Sequence, residues 1–185
     1  SCAVVGGELT CWGLGSNYQA PIALTAPSSV AVSNNAACAL QGNDVFCWGA
    51  SHLRLLSDLD ALPVSNAVDL EMSGWGTACV VTQSRTVNCW GEMAYGVSAP
   101  ANGIANVQQV SMLQFHACSH NGAAVECWGR NDSLQSDVPS DLGQPVQIAV
   151  GGTHSCVLQE NQEVRCWGNN DSGQTQVPND LGNVT

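Results

Sequence analysis

The segment Cys156-Val-Leu-Gln-Glu-Asn-Gln-Glu-Val-Arg-Cys166-Trp-Gly168 contains the pattern that decides the fold, two cysteines followed directly by Trp and Gly. The Cys-Trp-Gly tripeptide occurs five times, and each copy follows a partner cysteine nine or ten residues earlier. Successive copies lie 36, 42, 38 and 39 residues apart. A period in this range is typical of an array of small supersecondary units.

The residues between paired cysteines favour β-hairpins. In the first unit Gly6-Gly7 suits a two-residue turn with positive φ, which places Cys2 directly opposite Cys11. The second unit repeats this around Gly42-Asn43. Two units have one more residue in the loop, centred on Ser84 and Asn161, and the unit around residues 121–123 is compatible but less regular.

Opposed cysteines in such hairpins are close enough to be joined. Residues facing each other at a non-hydrogen-bonded antiparallel pair have Cα atoms about 4.5 Å apart, within the disulfide window of about 4.4–6.8 Å. Zinc is the weaker alternative, because zinc sites prefer cysteines two to four residues apart. The repeat therefore predicts one disulfide per hairpin: Cys2–Cys11, Cys38–Cys47, Cys79–Cys89, Cys118–Cys127 and Cys156–Cys166.

Strand alternation places each Cys and the Trp after it on opposite faces of the hairpin. We expect the sulfurs on one face and the indoles on the other, against the next unit. The Gly that follows permits a close backbone approach or a bend at the strand end. A polar turn and another alternating strand, such as 146–150, complete each unit. Short strands without helical periodicity indicate an all-β fold, a β-propeller or open propeller-like array of five blades of about 38 residues.

Composition limits the compartment and the partners. We expect one repeat domain over residues 1–185, with units starting at 2, 38, 79, 118 and 156. A formal net charge of −11 argues against binding nucleic acid or anionic lipid, which require basic surfaces. Paired cysteines at this density indicate an oxidising environment, so we expect an extracellular or cell-surface location. The sequence contains no apolar run of about 20 residues that would span a bilayer.

The run from Val146 to Gln174, with Gly-Gly-Thr-His-Ser-Cys before Cys-Trp-Gly-Asn-Asn-Asp-Ser-Gly-Gln, resembles a repeat of the regulator of chromosome condensation family. The cysteine-paired form is more similar to its extracellular branch, which includes the propeller-type beta-lactamase inhibitor protein and plant crinkly-type receptor ectodomains. The resemblance implies a non-catalytic propeller that binds a protein through its loops. Family members usually have seven blades, and this chain has five units. Its cysteines and acidity contradict the nuclear role of the founding member.

The two ends of the repeat pattern are incomplete. The first unit lacks the strand that precedes the hairpin, and the last unit stops about seven residues short of a new one when aligned on the unit before it. An unpaired edge of this kind is a site for strand addition. Either the array continues with further repeats, or a neighbouring copy donates the strand and the copies self-assemble through their strand edges.

No catalytic or cofactor motif emerges, and we expect a protein that is not an enzyme, with no cofactor and no metal site. His116 and His154 stand two residues before a repeat cysteine, which predicts structural roles satisfied by local backbone groups. The turn around Asp171 superficially resembles a calcium loop but lacks its closing Glu. Three sequons offer candidate glycan acceptors at Asn131, Asn170 and Asn183.

Binding residues in a repeat protein are sought where a unit departs from the common pattern. The turn at residues 51–56 replaces polar residues with apolar ones and carries an Arg, and Trp75 is the one Trp outside Cys-Trp-Gly. Side chains of these types are typical of protein-binding patches. We therefore expect an interaction or assembly module, for example a structural subunit of a surface filament, with a secreted inhibitor or lectin-like binder as the alternative. The candidate binding residues are Tyr18, His52, Leu53, Arg54, Leu55, Trp75, Met93, Tyr95 and Leu134.

Overall fold

The computed structural model describes residues 1–13, 24–34, 36–49, 66–91, 94–98, 105–178 and 181. Within these ranges the chain forms fourteen β-strands in five antiparallel sheets, and it contains no helix with the length and hydropathy needed to cross a bilayer. The strands are β1 (Cys2–Val5), β2 (Glu8–Cys11), β3 (Ser29–Val32), β4 (Ala36–Gln41), β5 (Asp44–Gly49), β6 (Ala67–Met72), β7 (Thr77–Thr82), β8 (Val87–Gly91), β9 (Gln109–Leu113), β10 (His116–His120), β11 (Val125–Gly129), β12 (Pro145–Val150), β13 (His154–Gln159) and β14 (Val164–Gly168).

Each sheet is one blade, and the predicted all-β, blade-like array is confirmed. Blades 2 to 5 have a first, a middle and a third strand in chain order, while the described part of blade 1 has the hairpin β1–β2 alone. First strands of successive blades lie against one another, β3 against β6, β6 against β9 and β9 against β12. The third strand, which carries Cys-Trp-Gly, is therefore the strand farthest from these contacts.

The predicted hairpin registers are confirmed. Cys2 faces Cys11 across a turn in which Gly6 and Gly7 have φ of 61° and 85°, and Cys38 faces Cys47. All five predicted disulfides are present, with Cα–Cα distances of 4.0–4.1 Å between partners. Each therefore joins the two strands of one hairpin and forms no covalent link between neighbouring blades.

Blades are held together by the indoles, and here one expectation was wrong. In blades 2 to 5 the Cys-Trp-Gly indole packs on the preceding blade, not the next one: Trp90 joins Cys38 and Leu40 in one core cluster, and Trp128 joins Cys79 and Val81 in another. Trp48 and Trp167 pack in the same way. The physical reason is the hairpin itself, whose disulfide face lies toward the following blade, so that its opposite, indole-bearing face meets the blade before it.

Two features fix the indoles of blades 4 and 5 in place. Trp128 Nε1 donates to the carbonyl of Val97 at 2.8 Å, and Trp167 Nε1 donates to the carbonyl of Gln135 at 3.0 Å. Both acceptors lie eight residues after the second cysteine of the preceding blade. In blades 3, 4 and 5 the glycine after the Trp allows the close approach predicted for it, since a Cβ there would collide with a backbone carbonyl oxygen, as at Gly129 with Phe115.

Candidate functional site

Three aromatic rings and one guanidinium form a continuous row on the surface. The Trp75 indole stacks on Phe115, with ring centroids 5.5 Å apart and planes inclined by 23°. Phe115 also contacts Tyr95, at 5.2 Å between centroids. At the other end of the row Arg130 lies over the Tyr95 ring, with its guanidinium carbon 5.3 Å from the ring centroid. We call these four residues, Trp75, Phe115, Tyr95 and Arg130, the aromatic cluster.

Antiparallel pairing brings these residues to one edge of two neighbouring blades, where edge means the rim at which the first and third strands end. Trp75 lies in the turn between β6 and β7, and Phe115 lies in the turn between β9 and β10. Tyr95 belongs to the 3₁₀ turn Ala94–Gly96 after β8, and Arg130 follows β11 directly. In a three-stranded antiparallel sheet, the end of the first strand and the end of the third strand lie at the same edge. The cluster therefore joins blades 3 and 4 along that edge.

The backbone under the cluster is well defined. In the Trp75 turn, Ser73 and Thr77 are buried, and the Thr77 N–H donates to the Ser73 hydroxyl at 3.1 Å. Tyr95 has a φ of 57°, a left-handed conformation that is uncommon for a residue with a side chain. Such a conformation persists where its surroundings determine it. The position of the Tyr95 side chain is thus fixed by its turn and by its contacts with Phe115 on one side and Arg130 on the other.

The cluster is exposed although its members touch one another. Trp75 and Tyr95 are 55% and 56% exposed, and Phe115 between them is half-buried. One face of the Trp75 indole is covered by Phe115, while the side chain as a whole remains accessible. A rigid, accessible indole of this kind loses little conformational entropy when a partner covers it.

Arg130 is held by an ion pair as well as by the ring beneath it. Its Nε donates to Asp132 Oδ2 at 2.7 Å. This hydrogen bond and the charge of Asp132 raise the pKa of Arg130, so the guanidinium is charged at every physiological pH. The remaining guanidinium donors are directed by these two contacts and can be offered to a ligand.

The predicted binding residues fall into three groups. Trp75 and Tyr95 are brought together through Phe115. Leu134 is 62% exposed in the polar turn that follows β11, close in sequence to Arg130. The others lie outside the described residues, and their binding role stays a prediction: Tyr18, His52, Leu53, Arg54, Leu55 and Met93.

Sequence reasoning missed Phe115 and Arg130. Phe115 stands three residues before Cys118, where blades 3 and 5 have Gly76 and Thr153. Arg130 is the one basic residue among the five that directly follow Cys-Trp-Gly. Both departures were visible as breaks in the repeat. Their significance depends on which turns share an edge, and that follows only from the strand order.

A serine and a histidine meet at a buried place between blades 4 and 5. His116 Nε2 lies 3.0 Å from the Ser155 hydroxyl, which itself donates to the carbonyl of Gln135 at 3.0 Å. The expectation that local backbone groups satisfy His116 was therefore wrong, because its hydrogen-bond partner belongs to the next blade. Both side chains have no exposed surface. The pair cannot meet a substrate and serves to join the blades.

Other polar side chains form hydrogen bonds within the turns, which accounts for their presence without a reaction. Asn131, a predicted glycan acceptor, donates from Nδ2 to Asp137 at 2.8 Å, and Asn170 accepts the Thr175 N–H at 3.2 Å. Both Asn are exposed, their glycosylation remains a prediction, and Asn183 lies outside the described residues. The described ranges hold no group of three His, Cys, Asp or Glu side chains suited to a metal ion.

Comparison with known proteins bears on the repeat and on the fold. Residues 146–174 match the family model described as Regulator of chromosome condensation (RCC1) repeat. This stretch is an RCC1 repeat. No curated protein sequence matches the chain significantly. The resemblance expected from the sequence is thus confirmed for the last blade, and solved structures extend it to the fold of the other blades.

Three solved structures illustrate the likeness. The ectodomain of the Physcomitrella patens receptor kinase CR4 is 21% identical, with a TM-score of 0.68 over 90% of this chain and 49% of its own. Prp20p from Saccharomyces cerevisiae is 14% identical, with a TM-score of 0.70 over 90% and 55%. The CRINKLY WD40 ectodomain of an Arabidopsis thaliana receptor kinase is 18% identical, with a TM-score of 0.62 over 91% and 62%. This chain therefore spans about half to three-fifths of their lengths.

Proposed function

We propose that this protein is an extracellular or cell-surface module that recognises another protein without catalysing a reaction. The observation that carries the proposal is the aromatic cluster, an exposed row of Trp75, Phe115, Tyr95 and Arg130 on a disulfide-linked scaffold. Trp, Tyr and Arg are the residue types that contribute most to protein–protein binding energy. The cluster presents all three within one surface.

The location follows from the chemistry of the cysteines. Five disulfides are present, and disulfides of this density persist in oxidising compartments. Two of the similar structures are ectodomains of receptor kinases, which is in keeping with such a location. Prp20p binds Gsp1p and histones, so the same fold supports protein recognition elsewhere.

The charge of the chain narrows the partner. At a net charge of −11, a basic or neutral partner surface is favoured over an acidic one, because like charges slow the encounter. At the cluster itself Arg130 is neutralised by Asp132, which leaves the apolar rings as the main source of affinity. We expect a partner that inserts an aliphatic or aromatic group against Trp75 and accepts a hydrogen bond from Arg130.

Substitution of the exposed indole tests this function. Trp75→Ala is expected to weaken partner capture by about tenfold or more, the loss typical of a Trp at the centre of an interface. The measurement is comparative capture from the extracellular fraction of the source, followed by titration calorimetry with the purified partner. Val68→Ala is the control, since Val68 is another exposed apolar side chain of blade 3, at 44%, and lies outside the cluster. Equal capture by the Trp75 variant, with a native circular-dichroism spectrum, would contradict the proposal.

A second candidate function is assembly with neighbouring copies, as a structural subunit of a surface filament. It is favoured by the described part of blade 1, which pairs two strands where the other blades pair three. The alternative is a secreted soluble inhibitor or lectin-like binder. Light scattering and electron microscopy separate them, because assembly gives rods and the alternative gives compact monomers.

A further inference from the structure

Every contact between successive blades follows one rule. The indole of the later blade lies on the disulfide face of the earlier blade, and the four tryptophans in this position, Trp48, Trp90, Trp128 and Trp167, are only 4–8% exposed. Beneath Trp167, for example, blade 4 contributes Cys118, Val125, Cys127, Val138 and Leu142. The rule leaves one face without a counterpart at each end of the array.

The first blade presents an indole face that no disulfide face covers among the described residues. Trp12 is 56% exposed, and Val5 on the same side of the hairpin is 69% exposed. Strand alternation places Ser1, Ala3 and Val5 on this face and turns Cys2 toward blade 2. The chemical groups that cover the other four indoles are therefore the groups that this face would accept.

The last blade presents those groups. Cys156, Val164 and Cys166 stand where blade 4 has Cys118, Val125 and Cys127, and they are only partly buried. Leu181 stands where blade 4 has Leu142 and is 50% exposed. The turn after β14 also repeats the turn after β11: the Ser172 N–H donates to Gln174 Oε1 at 2.8 Å, as the Ser133 N–H donates to Gln135 Oε1 at 2.8 Å. This turn places the Gln174 carbonyl at the position that accepts an indole N–H from the next blade.

A polar pair makes the two faces specific for each other. At the contact between blades 4 and 5, His116 bonds to Ser155. His116 stands two residues before the first cysteine of its blade, and Ser155 stands one residue before the first cysteine of the next blade. The three other contacts have Ala37, Ala78 and Ala117 at the serine position. The last blade carries His154 at the histidine position, and the first blade carries Ser1 at the serine position. The two outer faces thus hold the two halves of the pair that joins blades 4 and 5.

We propose that the last blade of one molecule receives the first blade of a second copy, in the same arrangement that joins blades 4 and 5. Trp12 then lies on the Cys156–Cys166 disulfide, its indole N–H meets the Gln174 carbonyl, and His154 bonds to Ser1. Because the two faces differ, the contact is head-to-tail and generates open chains rather than closed dimers. This inference rests on the assembly function proposed above and identifies the surfaces that carry it out.

Trp12→Ala tests the contact with little risk to folding, because the side chain is mostly exposed. The intact, oxidised wild-type chain is expected to form concentration-dependent species larger than its 19.2 kDa in sedimentation velocity. Trp12→Ala should lower the association constant by about tenfold or more, as expected for a buried interface Trp. Leu181→Glu, which places a charge on the opposite face, should have a similar effect. Val68→Ala is the control, because this exposed side chain of blade 3 lies outside both end faces, and it should assemble like wild type.

A mixing experiment tests the polarity of the contact. Trp12→Ala retains its last-blade face and can still receive a wild-type first blade, so adding it to wild type should shorten the chains. The double variant Trp12→Ala/Leu181→Glu lacks both faces and should leave chain length unchanged. Assembly that persists undiminished in Trp12→Ala would overturn this interface while leaving the assembly function standing. Monomeric wild type at all concentrations, as when a further repeat of the same chain covers the face, would overturn both.

Discussion

His116, two residues before the first cysteine of blade 4, illustrates how a side chain of one blade can be fixed by the next blade. His116 is fully buried, and burial lowers its pKa to about 4, although a hydrogen bond with the His154 backbone acts in the opposite direction. The Ser155 hydroxyl donates its proton to the Gln135 carbonyl, so His116 donates to Ser155 from Nε2. Because its pKa is lowered to about 4, the imidazole is neutral at pH 7. Folding therefore requires an uncharged imidazole at this place.

This requirement predicts acid sensitivity with a defined sign. The folded-state pKa lies below the unfolded value of 6.5, so stability is complete above about pH 6.5 and is lost as the pH falls toward 4. The shift corresponds to a loss of about 3 kcal/mol in the free energy of unfolding. Urea unfolding at a series of pH values measures it, and His116→Gln, which keeps a donor but does not titrate, should have the flatter profile in this range.

The effect of Glu71 on stability must be separated from that of His116, because the two make stability change with pH in opposite directions. Burial, with a smaller contribution from Asp69, raises the pKa of Glu71 from 4.5 to about 7. Its contribution to stability is therefore complete below pH 4.5 and is lost as the pH rises toward 7. The comparison should be made in a Glu71→Gln background. Equal profiles with and without His116 in that background would contradict the buried-imidazole explanation.

At the scale of single residues the sequence predicted the contacts within one repeat unit, and it did not predict the contacts between units. The cysteine pairs follow from hairpin geometry, which is local, and all five were predicted correctly. Phe115 and the Ser155 partner of His116 come from turns and strands some forty residues away, with separations such as 39. Such contacts depend on the direction in which one blade follows another, and that direction is not contained in the period.

At the scale of the blade, the hairpin and its disulfide have separate functions. The disulfide closes a short loop, and its outer surface forms half of the contact with the following blade. The first strand adds polar links: Gln109 Oε1 and Ser111 Oγ accept the N–H groups of Ile148 and Val150 at 2.9 and 3.2 Å. Side chains of one blade thereby satisfy backbone donors of the next, which explains why these strands alternate polar and apolar residues.

Removing disulfides one at a time should separate the loop effect from the packing effect. Cys118–Cys127 and Cys156–Cys166 close loops of nearly equal length, with sequence separations of 9 and 10, so both lose about 2.7 kcal/mol from loop closure when replaced by paired alanines. Cys118 is also fully buried beneath Trp167, and its replacement creates a cavity that costs about 1–2 kcal/mol more. Denaturant unfolding of dilute, oxidised protein measures both variants. Equal losses would show that the sulfur atoms contribute nothing to the contact between blades.

At the scale of the whole molecule, the array is directional and strongly acidic. One end presents Trp12 and the other presents the Cys156–Cys166 face, while the cluster around Trp75 occupies an edge of blades 3 and 4. These surfaces do not share residues, so partner binding and end-to-end association can proceed together. A chain of associated copies would display the cluster once per molecule, which raises the effective concentration of binding sites for a multivalent partner.

The net charge predicts how such association depends on salt. Each copy carries a formal charge of −11, whereas Trp12 and Leu181, which would meet the neighbouring copy at the ends, are apolar. The terminal amino group of Ser1 is engaged with the Trp12 carbonyl at 2.9 Å. Coulomb repulsion between copies therefore opposes association without compensating ion pairs across the contact.

Screening should strengthen the contact. Raising the ionic strength from about 0.01 M to about 0.15 M shortens the Debye length from about 30 Å to about 8 Å, which removes most of the repulsion between whole molecules. The association constant from sedimentation velocity is expected to increase several-fold over this range, and Trp75→Ala should follow the same curve because it leaves the end faces intact. Association that weakens with added salt would instead require ion pairs across the contact, and the acidic residues near β14 would then have to face a basic group of the neighbouring copy.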